Sequence, residues 1–191
     1  KDAARFLVRN ALQNVNFGSA ERMVRINQLP EGLKDLEQIT ENVQTILVPK
    51  CESAEQLKQI VEYLNQLSAK NKQAENIFLI PIIESALGIV NAYEIASSSR
   101  RICAIAIGLE DYAADIGAER TKAGTESLFA RCAIINAAKA AGVQALDSVF
   151  SDLNDDKGLA ASTSEAKALG FDGKGCIHPK QIKIIHNGFP Q

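Results

Sequence analysis

The 191 residues carry 21 Lys and Arg against 23 Asp and Glu, a formal net charge of -2, and 46% of them are apolar. That is the balance of one globular domain with a sizeable core, and the absence of any basic block argues against a nucleic-acid footprint. Three Tyr, seven Phe and no Trp leave few platforms for stacking bases, and no apolar run reaches bilayer length.

In chain order, short apolar runs at 23–27, 45–49, 77–83, 102–108, 145–150 and 175–177 read as strands. Amphipathic stretches of helical period separate them. Between the second and third runs, 53–67 places Leu57, Ile60, Val61 and Leu64 on one stripe, and Ser53 with Gln56 forms a capping box at its start. Between the fourth and fifth, 127–141 is a helix rich in Ala, Leu and Ile, with Gly142 as its C-terminal cap.

Six βα units in a row predict a parallel sheet covered by helices. Two architectures remain, an open doubly wound sheet and a closed barrel. No glycine-rich phosphate loop follows the first strand, which weakens the dinucleotide-binding form. Polar residues gather instead after several different strands, at Arg25, Lys50, Glu84, Asp111, Asp147 and His178. A barrel brings all its strand ends to one mouth, so the expected fold is α/β, a (β/α)8 TIM-type barrel with about six βα units present. Residues 1–191 are expected to form this single barrel domain, short of the roughly 250 residues of a typical one.

Cys51, Cys103, Cys132 and Cys176 form no CxxC pair and read as reduced thiols of a cytosolic-type protein. Cys103 and Cys176 lie in strand-like runs, where a small buried hydrophobe is the plain expectation.

Glu84 closes the third run, and Asp111 follows the glycine that ends the fourth. Neighbouring strands lie about 4.8 Å apart, so the two carboxylates can converge, and a pair of carboxylates plus water suits magnesium. The alternative is ion pairing with Arg100, Arg101 or Arg120. Arg25 sits between Val24 and Ile26, where a buried guanidinium needs a carboxylate, either a ligand's or a core acid's. Lys50 and Glu52 read as an ion pair at the mouth. Asp115 and Arg120 either support Asp111 or pair with each other. His178 before Pro179 reads as a cap or packing group rather than a catalytic one. Residues 172–175 read as a turn in which Lys174 either plays no part or faces a phosphate, and 154–156 as a solvated loop.

The strings Val24-Arg25-Ile26-Asn27, Pro81-Ile82-Ile83-Glu84-Ser85-Ala86 and 108–117, with 145–152 and 170–179, resemble successive motifs of the citrate lyase β-subunit family. They keep the family's order and cover nearly the whole chain. The resemblance implies a (β/α)8 barrel, commonly trimeric or hexameric, that cleaves a carbon–carbon bond in a 3-hydroxyacyl thioester carried on CoA or an acyl-carrier protein. It implies Glu84 and Asp111 as ligands of Mg2+, with Asp111 preferred to Glu110. It implies Arg25 as the catalytic contact to the substrate's oxygens, Glu84 beside it at the substrate, and backbone N–H groups from Ser85 to Gly88 as receivers of a substrate carboxylate. The family has two further N-terminal strands and a C-terminal segment carrying a proposed catalytic acid, so the base is expected outside these residues or to be a metal-ordered water. A 2-keto-acid aldolase on free substrates and a non-catalytic barrel subunit are the competing readings. A cytoplasmic homo-oligomer with no nucleic-acid or membrane partner completes the expectation.

Overall fold

A computed structural model describes residues 2–69 and 71–190. Its strands are β1 (Met23–Arg25), β2 (Thr45–Val48), β3 (Phe78–Ile83), β4 (Ala104–Ile107), β5 (Gln144–Asp147) and β6 (Gly173–Lys174). They form one sheet in the order β1-β2-β3-β4-β5-β6 with every neighbouring pair parallel. A doubly wound sheet reverses its strand order at a switch point, whereas a barrel wall adds each strand beside the last. The uninterrupted order, curled into a half-barrel, is therefore the TIM-type arrangement.

Helices make each crossover. They are α2 (Glu31–Ile39), α3 (Ala54–Ser68), the short pair α4 (Ala86–Val90) and α5 (Ala92–Ser97), α6 (Leu109–Asp115) with α7 (Leu128–Ala141), and α8 (Asp156–Leu169). Helix α1 (Asp2–Asn14) precedes them and α9 (Ile182–Gly188) follows. The capping box forms as expected, with the Ser53 side chain receiving Gln56 N–H and the Gln56 side chain receiving Ser53 N–H. Helix α7 ends where Gly142 turns left-handed at φ 74, a conformation that costs glycine little.

Strands that look uniformly apolar are divided by the pleat. Ile26, Ile46, Val48, Leu79, Ile83, Ile105, Ile107 and Ala145 are of one parity and belong to the core under the helices. The alternate residues, among them Arg25, Leu47, Ile82, Ala106 and Leu146, take the concave side. Helices α1 and α2 and the end of β1 are tied by Asp35, which accepts from Arg5 Nε at 2.7 Å and from Asn27 N–H at 2.6 Å. Among the described residues no helix is long and apolar enough to cross a membrane.

The last strand differs from the expected 175–177. Gly175 N–H still bonds the Asp147 carbonyl at 2.9 Å, but the chain then leaves the sheet, and Ile177 N–H is held by the Gln181 side chain at 3.0 Å. Cys176 is consequently exposed rather than a core hydrophobe, while Cys103 is half-buried and Cys51 buried.

Candidate active site

Strand parity brings the candidate groups to one side. Arg25 pairs in register with Leu47 and Leu47 with Ile80, so Arg25 lies on the concave face below the level of Glu84. Ile83 pairs with Ile107, which sets Glu84 beside Gly108. That glycine is required by space: a Cβ there would stand 2.6 Å from Glu84 Cγ and 2.9 Å from its Oε1. The carboxylate thus lies flat across the next strand, and helix α6, which starts at Leu109, carries Asp111 to it. The helix start is fixed by Leu109 N–H donating to Ser148 Oγ at 3.2 Å.

Glu84 and Asp111 line a cavity of about 280 Å3 together with Lys50, Glu52, Ser85, Ala114 and Asp115. Burial, reinforced by the negative charge of Asp111, pushes the Glu84 carboxyl above its ordinary range, against the pull of Lys50 and Arg25. A carboxylate made uncomfortable by a second one is a standing invitation to a cation. Lys50 Nζ lies 3.5 Å from Asp111 Oδ2. Glu110 turns the other way, 3.6 Å from Arg120 Nε, so Asp111 and not Glu110 joins Glu84.

Several expected partnerships fall differently. Arg25 is exposed on the concave face of the outermost strand, not a buried guanidinium, yet it is near enough to lower the Glu84 pKa. Lys50 pairs with Asp111 rather than Glu52. Asp115 and Arg120 do not pair with each other: Asp115 Oδ2 accepts Ala86 N–H at 2.8 Å, and Arg120 reaches Glu126 at 2.7 Å. With Gly88 N–H donating to Ser85 Oγ at 3.2 Å, two of the N–H groups assigned to a substrate carboxylate are already engaged. His178 Nδ1 accepts Lys180 N–H at 3.2 Å, which is the capping role. Asp155 is not free in a loop but caps α8 by accepting Gly158 N–H at 2.8 Å. Arg101 bonds the carbonyls of Ala74 and Ile77 at 2.9 and 3.2 Å, away from the carboxylate pair.

Asp147 and Lys174 leave the mouth altogether. Their side chains point to the helix layer, where Lys174 Nζ donates to Asp147 Oδ2 at 2.7 Å and Arg131 donates to both Asp147 oxygens at 3.2 Å. Lys174 therefore meets a carboxylate, not a phosphate. The parts that sequence reasoning missed are Gly108 as the floor under Glu84, Ser148 as the anchor of α6, and Lys50 as the cation between the acids. The glycine was visible as a strand end, but its use depends on register.

The donor set suits magnesium. Two carboxylates lining an open cavity can supply a hard cation with oxygen ligands and leave room for water and a chelating ligand. Among the described residues no group of three or more His, Cys, Asp or Glu converges as a zinc site would need.

A parallel strand-by-strand barrel wall with an acidic pair and an arginine on its concave face defines a TIM-type protein with an acidic mouth. Comparison with known proteins places it further: the chain belongs to the HpcH/HpaI aldolase/citrate lyase family, whose model matches residues 1–179. It is 41% identical over 193 residues to the citrate lyase subunit beta of Haemophilus influenzae, covering 99% of this chain and 66% of that protein. It is 32% identical to the mitochondrial citramalyl-CoA lyase of Homo sapiens, covering 99% of this chain and 59% of that protein. The chain thus spans about two thirds or less of these relatives' length. Among solved structures it is similar to the CitE protein of Mycobacterium tuberculosis in complex with magnesium, acetoacetate and coenzyme A. That likeness has a TM-score of 0.76 and 31% identity, covering 96% of this chain and 66% of that one.

Proposed function

We propose that the chain belongs to a magnesium-dependent carbon–carbon lyase that cleaves a 3-hydroxyacyl thioester of citryl, citramalyl or malyl type. The products are a 2-oxo acid and an acetyl thioester. The observation that carries this reading is the convergence of Glu84 and Asp111 in one cavity, with Arg25 on the same concave face. The names of the relatives and the magnesium, acetoacetate and coenzyme A in the M. tuberculosis complex support it.

Glu84 and Asp111 are the residues that hold the cation, and when bound it supplies Lewis-acid polarisation of substrate oxygens. Arg25 presents a planar fork to the substrate's carboxylate and carbonyl oxygens, where negative charge grows during cleavage. The hydroxyl of the 3-hydroxyacyl group loses its proton and becomes the carbonyl of the 2-oxo acid. The Cα–Cβ bond breaks, its electron pair passes to the thioester as an enolate, and protonation at carbon gives the acetyl thioester.

The same reading makes residues 1–191 a single domain of a barrel, working in the cytoplasm as a homotrimer or hexamer on a CoA or carrier-protein thioester. The test is release of 2-oxo acid from citryl-, citramalyl- and malyl-CoA by the full chain, with and without a chelator. Glu84→Ala should lose magnesium binding and at least about a hundredfold of the turnover while its circular dichroism is unchanged. Undiminished turnover with magnesium still bound would remove the assignment. Cleavage of a free 2-keto acid in preference to all three thioesters would favour an aldolase.

A further inference from the structure

Among the described residues Lys50 is the one non-glycine at positive φ, 49°. A side chain rarely sits there unless its surroundings hold it. They do: Gln56 Nε2 donates to the Lys50 carbonyl at 3.4 Å, Cys51 N–H to Ile82 O at 3.1 Å, and Asn91 Nδ2 to Glu52 O at 2.8 Å. Glycine or asparagine would occupy this turn with less strain, so the lysine side chain has to contribute something else. Its backbone N–H supports the charged form of Glu84, and its ammonium lies 3.5 Å from Asp111 Oδ2. One residue thus reaches both acids of the site, from its two ends. The cavity they share is lined by four carboxylates, Glu52, Glu84, Asp111 and Asp115, and by a single cationic side chain, that of Lys50. That side chain is about half exposed, 49%, on an unbranched stem that can swing into solvent.

We propose that Lys50 is a positioning residue whose ammonium serves as the resident counter-charge of the cation site, held on Asp111 until a divalent cation displaces it. The proposal rests on the reading of Glu84 and Asp111 as magnesium ligands. Ammonium and magnesium compete for the same carboxylate oxygen, so Lys50 keeps the acids apposed without a metal and weakens the metal's hold by the strength of the contact it must give up.

The test is calorimetric titration of Mg2+ into the full chain and into Lys50→Met, Lys50→Gly and Lys50→Arg. Lys50→Met and Lys50→Gly should both bind Mg2+ about two- to fivefold tighter, the scale of one half-exposed ion pair, and the gain should shrink at high salt. Lys50→Arg should return close to wild-type affinity. Unchanged or weaker binding in Lys50→Met, with the wild type still binding, overturns the exchange, because a merely structural lysine would lower affinity when removed. Tighter binding in Lys50→Gly alone also overturns it, since the gain would then come from relief of the backbone. A wild-type chain that binds no Mg2+ removes the site reading itself, and this proposal with it.

Discussion

Glu84 and Asp147 both close strands at the same rim of the sheet, yet they face opposite sides of it. Glu84 follows Ile83, whose side chain is in the core, and so takes the concave face, where the charges of its cavity are four negative to one positive. Asp147 takes the core parity. Its side chain is 2% exposed, between Arg131 at 5% and Lys174 at 3%, with Glu165 accepting from Arg131 at 3.0 Å. Burial lowers the Lys174 pKa, and Asp147 pushes it back. Arg131 also lies over the Phe171 ring, 5.7 Å from its centre. The charges of the second cluster are paired with one another, two cations to two carboxylates. The first is left acidic and open, so a cation from solution can complete it. Strand parity, more than residue type, decides which carboxylate faces the open cavity and which is paired in the core.

That contrast is tested most severely by removing Asp147. Asp147→Ala leaves two buried cations without their shared partner and should cost about 3–5 kcal/mol of stability, read as a lower urea midpoint. Magnesium affinity of the molecules that remain folded should be unaltered. Glu84→Ala should instead leave stability within about 1 kcal/mol of wild type, because it also removes a like-charge repulsion. If the two substitutions destabilise equally, the division of the rim into a structural and a functional half is wrong.

Gly108→Ala probes the functional half without touching a charged group. The added Cβ would meet Glu84 Cγ at 2.6 Å, so the carboxylate must move. A shift of about 1 Å costs roughly a hundredfold in turnover, and magnesium binding should weaken by at least about tenfold. Wild-type kinetics in this variant would mean that Glu84 has no fixed task. Arg25→Lys is the milder probe. It keeps the charge but not the fork, so kcat/KM should fall by about tenfold or more with the melting temperature unmoved, the side chain being exposed.

Much of this arrangement is legible in the amino-acid order. The first four strands fall within the apolar runs and the fifth begins one residue before its run, the capping box at Ser53 and the Gly142 cap form as the residue types require, and Glu84 and Asp111 follow their strands. What cannot be read is which side of the sheet a strand-end group faces. Runs such as 102–108 are apolar on both parities, so Asp147 resembled a mouth residue and Arg25 a buried one. Register decides the rest. Gly108 looks like a strand terminator until Ile83 is paired with Ile107, which sets it under Glu84. Cys176 was misread because a two-residue strand at 173–174 is too short to leave a pattern, and the apolar residues after it are exposed where the chain turns to the His178 cap. The left-handed Lys50 has no signature in its residue type.

The smallest effect is expected from the loop that separates the two halves. Glu126 accepts from Arg120 and from the Thr121 hydroxyl, each at 2.7 Å, and from Thr121 N–H at 3.3 Å. Burial works to raise its pKa, but the Thr121 hydroxyl, two backbone N–H groups and the Arg120 guanidinium outweigh it and hold the carboxyl at about 2. An unfolded glutamate titrates near about 4.3. The folded value is the lower of the two, so Glu126 contributes stability above the unfolded pKa, and that contribution is lost as pH falls toward 2. Arg120 is the residue that also meets Glu110, beside Asp111, so this network sets how the loop leans on α6. Urea unfolding of wild type and Glu126→Gln should therefore differ most near pH 6, by at most about 1 kcal/mol given the solvent access of such loop pairs, and the difference should shrink below the unfolded pKa and vanish only as the pH approaches 2. A difference that grows as the pH falls would reverse the sign, and the loop would owe its position to contacts other than this carboxylate.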